Sequence, residues 1–300
     1  MSVQPAISLS HLCKNYGKTR GIQDITFDVF PGEVFGFLGP NGAGKTTAIR
    51  TLIGLIHATS GSAHILGENA LTSSQKLRER IGYLPGALNL YRNYSSFELL
   101  RHFARIRKVN CDKQINSLAE RLKLDLTKEI SELSKGNRQK VGVIQAFMHE
   151  PDVLFLDEPT SGLDPLAQRE FEIILDEAKA RGAAIMLSSH VLSEVEHLAD
   201  RVAIINEGKL LVVDHIKVLK NRALRTIDLF FNNPVSADLF MGIPNIKNVN
   251  VRVNSISCTL VGPETELLRI AVQNNVVTVQ THEPSLEEIF LNLVEKAGTQ

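Results

Sequence analysis

Gly39-Pro40-Asn41-Gly42-Ala43-Gly44-Lys45-Thr46-Thr47 decides the reading of this chain. The run follows an apolar stretch, Val34-Phe35-Gly36-Phe37-Leu38, and leads into Ala48-Ile49-Arg50-Thr51-Leu52-Ile53, which reads as a helix. Strand, glycine loop and helix start, with Gly39, Gly44, Lys45 and Thr46 at this spacing, form the setting of a phosphate cradle. Gly42 and Gly44 let consecutive N–H groups turn toward one anion. The free N–H groups and dipole of the helix start add to the attraction. Pro40, Asn41, Ala43 and Thr47 complete the cradle, Lys45 reaches toward the β- and γ-phosphates, and the Thr46 hydroxyl is placed for Mg²⁺. A chance glycine turn is the plain alternative; the flanking strand and helix argue against it.

Working outward, the first thirty residues read as antiparallel strands. Ile7, Leu9 and His11 alternate with polar positions, as do Ile25, Phe27 and Val29, with a turn at Asn15–Lys18. The pattern from about Ile81 to Glu150 is mostly helical. Buried-type strands return at Val153–Leu156, Ala184–Leu187 and Val202–Ile205, separated by helical stretches 168–181 and 190–198. Strands alternating with helices imply a parallel sheet covered on both faces. The expectation is an α/β phosphate-loop core over residues 1–220, with an antiparallel β subdomain and a helical insertion at about 83–150. Residues 221–300 read as a small α+β unit, closing in a helix whose Ser285 and Glu288 stand at capping-box spacing.

Asp157 and Glu158 follow the strand Val153–Leu156 at its carboxyl end, where an open α/β sheet binds its ligands. Asp157 is suited to hold Mg²⁺, and Glu158 to orient an attacking water as general base. Taken alone, the pair could be surface carboxylates before a proline turn. Leu133–Lys140 leads into the apolar helix Val141–Met148, with Ser134 at the helix entry and Gly136 letting N–H groups approach an anion; taken alone, this is an ordinary cap. His190 ends the next strand; a lone histidine there is usually a packing residue, but beside the two carboxylates it could reach a γ-phosphate.

The bulk numbers set limits. Three hundred residues suffice for one large or two modest domains. A formal net charge of zero gives no sign of a nucleic-acid surface, and no nucleic-acid partner is expected. Three distant cysteines, Cys13, Cys111 and Cys258, fit a reducing compartment without structural disulfides. The start carries no secretory pattern, and no window approaches 18 uninterrupted apolar residues. Any membrane role therefore has to come through a partner.

In order, these segments resemble the ABC-type ATPases, the nucleotide-binding subunits that power membrane transporters. The resemblance covers about residues 7–220. It rests on Gly39–Thr47, Leu133–Lys140 in place of Leu-Ser-Gly-Gly-Gln, Asp157-Glu158, the loop Ser161–Asp164, and His190. It implies that Tyr16 stacks on adenine. It also implies two ATPs with Mg²⁺ clamped between two copies of the chain, or paired ATPase subunits, with Ser134 and Gly136 supplied in trans. Two departures stand out: Gly86 where the family has a Gln, and Lys135-Gly136-Asn137 for Gly-Gly-Gln. Both, with the C-terminal unit, resemble the branch that exports drugs and polysaccharides through a separate permease chain. In that branch the ATPase is cytoplasmic, peripheral on the inner face of the cell membrane, and Ala87–Tyr94 receives the permease. The rival expectation is a soluble ATP-driven switch acting on a non-membrane partner. Such proteins usually carry paired modules or long coiled coils, whereas this chain has one phosphate loop and no sustained heptads.

Overall fold

The five residues of Val34–Leu38 are all buried, as are the five of Val153–Asp157 and the six of Ala184–Ser189. Continuous burial is what parallel strands covered on both faces require. These strands lie at the centre of the computed structural model, which describes residues 3–17, 19–72, 74–240, 242–243 and 245–298. Chain contacts divide it into two units, Met1–Val213 and Asp214–Gln300.

Among the described residues, ten strands form one sheet. Its order is Glu68–Asn69, Ser60–Ile65, Ile7–Tyr16, Thr19–Val29, Lys209–His215, Arg201–Asn206, Val34–Leu38, Ala184–Ser189, Val153–Asp157 and Ile81–Leu84. The first four pair antiparallel and make the β subdomain. The strands from Arg201–Asn206 to Ile81–Leu84 pair parallel. Ile81–Leu84 is thus an edge strand, where the sequence pattern reads helical from about Ile81. The helices Ser96–Ile106, Asp112–Arg121 and Lys135–Phe147 follow it. The expected turn at Asn15–Lys18 includes Gly17 at φ 57°; Lys18 lies outside the described residues.

Packing across the sheet is aromatic near the phosphate loop. Phe27 and Phe35 stack at 4.8 Å between centroids, and Phe27 meets Phe37 at 5.6 Å. Phe35 and Phe37 are fully buried, and burying each such ring stabilises the fold by about 1.5–3 kcal/mol.

Register then sets the working end. Leu38 lies opposite Ser189, and Ser188 opposite Asp157, so three neighbouring strands finish at one level. The segments that leave them, 39–44, 158–164 and 190–191, gather at the carboxyl edge of the sheet, where α/β proteins bind ligands.

In the second unit, four strands pair in the order Ile246–Arg252, Ser255–Leu260, Arg225–Phe231, Val276–His282, all antiparallel. Ile227, Leu229, Ile256 and Cys258 form its core with Leu267 and Ala271 of the helix Thr265–Gln273. The last helix is capped reciprocally: Ser285 N–H donates to Glu288 Oε2 at 3.1 Å and Glu288 N–H to Ser285 Oγ at 3.2 Å. Among the described residues, no helix is long and apolar enough to cross a membrane.

Candidate functional site

The glycine loop ends in a backbone only glycine adopts easily. Gly44 has φ 110° and serves as N-cap of the helix Lys45–Leu52, which therefore begins without a side-chain cap and with its first N–H groups turned to the loop. Lys45 folds back over the loop: its Nζ donates to Gly39 O at 2.6 Å and to Pro40 O at 3.2 Å. Burial lowers the Lys45 pKa below its ordinary value; the charges of Glu158 and Asp157 pull the other way. Ala43 N–H donates to Pro40 O at 3.1 Å, and Thr47 O accepts from Thr51 Oγ1 at 2.8 Å, closing the loop and the first turn.

Asp157 faces the loop from the end of its own strand. Its Oδ2 accepts from Thr46 Oγ1 at 2.8 Å, and its Oδ1 accepts from Ser188 Oγ. Glu158, the next residue, leaves the strand with φ 53°, a left-handed conformation that costs a residue with a Cβ about 1–2 kcal/mol. Its N–H donates to Ser188 O at 2.9 Å, and its Oε2 lies 2.8 Å from His190 Nδ1. Carboxylate and imidazole are thus paired at the mouth of the site.

Together these groups line a cavity of about 420 Å³ whose walls include Tyr16, Asn41, Gly42, Gly44, Lys45, Thr46, Thr47, Asp157 and Glu158. Tyr16 is half exposed at the rim, with Lys14 Nζ 5.1 Å from the centre of its ring. Gly86 also lines the wall; a Cβ there would lie 3.1 Å from Asp157 Oδ2. A side chain at position 86, where the family has a glutamine, would thus start in contact with the Asp157 carboxylate.

Ser134 and Gly136 are not part of this cavity's lining. Ser134 caps the helix Lys135–Phe147, its Oγ accepting from Asn137 N–H at 3.2 Å. Gly136 packs against the loop that follows Glu158, where an added Cβ would meet Gly162 O at 2.5 Å.

Three partners are not evident from sequence. Ser188 supports Asp157, and Thr160 Oγ1 donates to Glu194 Oε2 at 2.6 Å, tying the segment after Glu158 to the helix after His190. Gln139, 5% exposed, donates from Nε2 to Pro159 O at 2.9 Å and Glu158 O at 3.3 Å. A glutamine close to an apolar helical run was the one available signal for it.

Chemically, the arrangement offers ammonium and N–H donors for phosphates, hard oxygen donors beside them, and a carboxylate–imidazole pair at the edge. Known proteins similar to this chain are numerous. The family described as ABC transporter matches residues 22–161. The bacitracin transport ATP-binding protein BcrA of Bacillus licheniformis is 34% identical over 296 residues, covering 96% of this chain and 97% of that protein. The Nod factor export ATP-binding protein I of Rhizobium meliloti is 30% identical over 295 residues, covering 96% and 88%. A solved structure of the ATP binding subunit of an ABC transporter superposes with TM-score 0.68 at 30% identity, covering 72% of this chain and 92% of that one. With likeness at this level over nearly its whole length, the chain belongs to the ATP-binding proteins of ABC transporters, a family of ATPases.

Proposed function

We propose that the chain hydrolyses ATP to power a separate membrane permease that exports its cargo. One observation carries this reading: Lys45, Thr46, Asp157 and Glu158 converge on a single cavity beside the glycine loop. The name of BcrA, which describes bacitracin transport, supports the transport role, and that of the Nod factor protein, which describes export, supports the direction.

In this reading the N–H groups of residues 42–47 and the Lys45 ammonium bind the phosphates of ATP, and Tyr16 stacks on adenine. The oxygens of Thr46 and Asp157, already 2.8 Å apart, are of the hard type that suits Mg²⁺. They would hold the ion, which supplies charge neutralisation at the phosphates. Glu158 orients the attacking water and takes its proton, and His190 fixes the direction of that carboxylate. Ser134 and Gly136, outside the cavity of their own chain, serve the nucleotide of a second copy or a paired ATPase subunit in a head-to-tail dimer. The chain sits in the cytoplasm against the inner face of the membrane, with Ala87–Tyr94 receiving the permease; Tyr91 and Tyr94 are solvent-exposed, as that contact needs. Residues 1–220 form the motor and 221–300 an accessory domain.

The test is co-expression with multi-span permeases from the same genome, any encoded in a neighbouring gene first, and assay of the joint complex in vesicles. Co-purification with cargo-stimulated ATP hydrolysis is the expected result. A chain that hydrolyses ATP but neither binds nor responds to any permease would overturn the transport reading.

A further inference from the structure

Gln139 holds the backbone from which Glu158 projects. Its carboxamide is buried between two carbonyls, Pro159 O and Glu158 O, at 2.9 and 3.3 Å. The nitrogen must face them, because the oxygen end would meet two acceptors. Those carbonyls directly follow the left-handed turn at Glu158, φ 53°, a conformation that persists only where its surroundings hold it. Glu158 is held at three points: its N–H by Ser188 O, its carboxylate by His190 and its carbonyl by Gln139.

The same helix carries Ser134 as its cap, about one and a half turns away. It rides on the loop after Glu158 through further contacts: Lys135 Nζ lies 3.5 Å from Ser161 Oγ, and Lys140 Nζ 3.4 Å from Asp164 Oδ2. We infer that Gln139 is a positioning residue for hydrolysis, which fixes the Glu158 carboxylate and passes it any displacement of the helix start at Ser134–Gly136. The inference rests on the proposed role of Glu158. It links the two nucleotide sites of a dimer: the helix start serving one ATP would be tied, through one side chain, to the base serving the other.

The experiment uses the full-length protein and three variants, Q139M, Q139E and E158Q, each assayed for ATP binding, kcat, KM and the pH dependence of turnover. Methionine matches glutamine in length and lacks the donor. Q139M is expected to bind ATP as wild type does and to lose about 10- to 100-fold in kcat, the scale of a small misplacement in an active site. In Q139E the ionised carboxylate faces two carbonyls and turnover is poor at alkaline pH. Protonation restores an O–H donor, so its activity recovers relative to wild type as the pH falls. Circular dichroism follows folding over the same pH range, and recovery of kcat in a sample folded throughout is what a merely structural glutamine would not produce. Wild-type kcat in Q139M while E158Q is inactive would overturn the inference and leave the proposed role of Glu158 standing; wild-type turnover in E158Q would overturn both the inference and that role. Should Q139M fail to fold, the Q139E profile decides: relative recovery on acidification supports the inference, and a profile parallel to wild type refutes it.

Discussion

Replacing Gly136 by alanine sets two known effects against each other. Alanine is the better helix former, by up to about 1 kcal/mol in a helix interior. Its Cβ, however, would stand 2.5 Å from Gly162 O, inside the 3.0 Å that real Cβ contacts respect. The obstacle is backbone, and Gly162 sits in a left-handed turn at φ 80°, so relief requires moving the helix start or the loop by roughly half an ångström. Overpacking of this kind costs about 1–3 kcal/mol, so the clash wins and Tm falls by a few degrees. The functional effect is larger than the stability effect. That loop begins at Glu158, and displacement on this scale should lower kcat about tenfold or more. ATP binding should hold, because residues 39–46 are untouched. Thermal unfolding, nucleotide binding and steady-state hydrolysis on one preparation check all three. Wild-type kcat together with a raised Tm would refute the argument, since propensity would then have outweighed the contact.

Two other substitutions test separate parts. His149, mostly buried, has its pKa lowered from 6.5 to about 4 by burial and by the neighbouring Arg107 charge, partly opposed by its bond to Ile81 O. The unfolded chain therefore binds the proton more readily. Stability is whole above about pH 6.5 and is lost progressively as pH falls toward 4, by about 3 kcal/mol. H149Q should flatten that acid-side slope in urea unfolding, and an unchanged slope would count against His149 as its source. Gly86→Ala should be milder than Gly136→Ala, because its Cβ meets the Asp157 carboxylate at 3.1 Å rather than a carbonyl at 2.5 Å. A side chain can give by a few tenths of an ångström, so turnover within several-fold of wild type is expected. A loss as deep as that of E158Q would contradict the expected slack.

The phosphate end of the molecule was readable because its requirements are local. Glycines at fixed spacing and five-residue apolar runs leave few alternatives to a strand, a loop and a helix. The helix after the Ser161–Asp164 loop starts earlier than its apolar pattern suggests, at Pro165. Asp164 Oδ1 accepts from Ala167 N–H at 2.9 Å, and proline takes the first helical position, so a turn-like tetrad proves to be a cap. Ser60–Ile65 was not readable as a strand. Ser-Gly-Ser-Ala-His-Ile offers little alternation, and only Ala63 and Ile65 are fully buried; its pairing with Ile7–Tyr16 supplies the rest. Glu158 gave no sign of its left-handed backbone, because that conformation is imposed by tertiary contacts rather than by side-chain type. Gln139 was barely legible for a related reason: even beside an apolar run, a polar residue on a helix looks solvated until its two carbonyl partners, 19 and 20 residues away in sequence, are in place.

The most direct measurement is ATP binding and hydrolysis by purified wild type and E158Q, side by side with Mg²⁺. Glutamine keeps the shape of Glu158 and can still accept from His190, but it cannot take a proton from water. The account predicts unaltered ATP binding with turnover at least about a hundredfold slower. Undiminished hydrolysis in E158Q would contradict it.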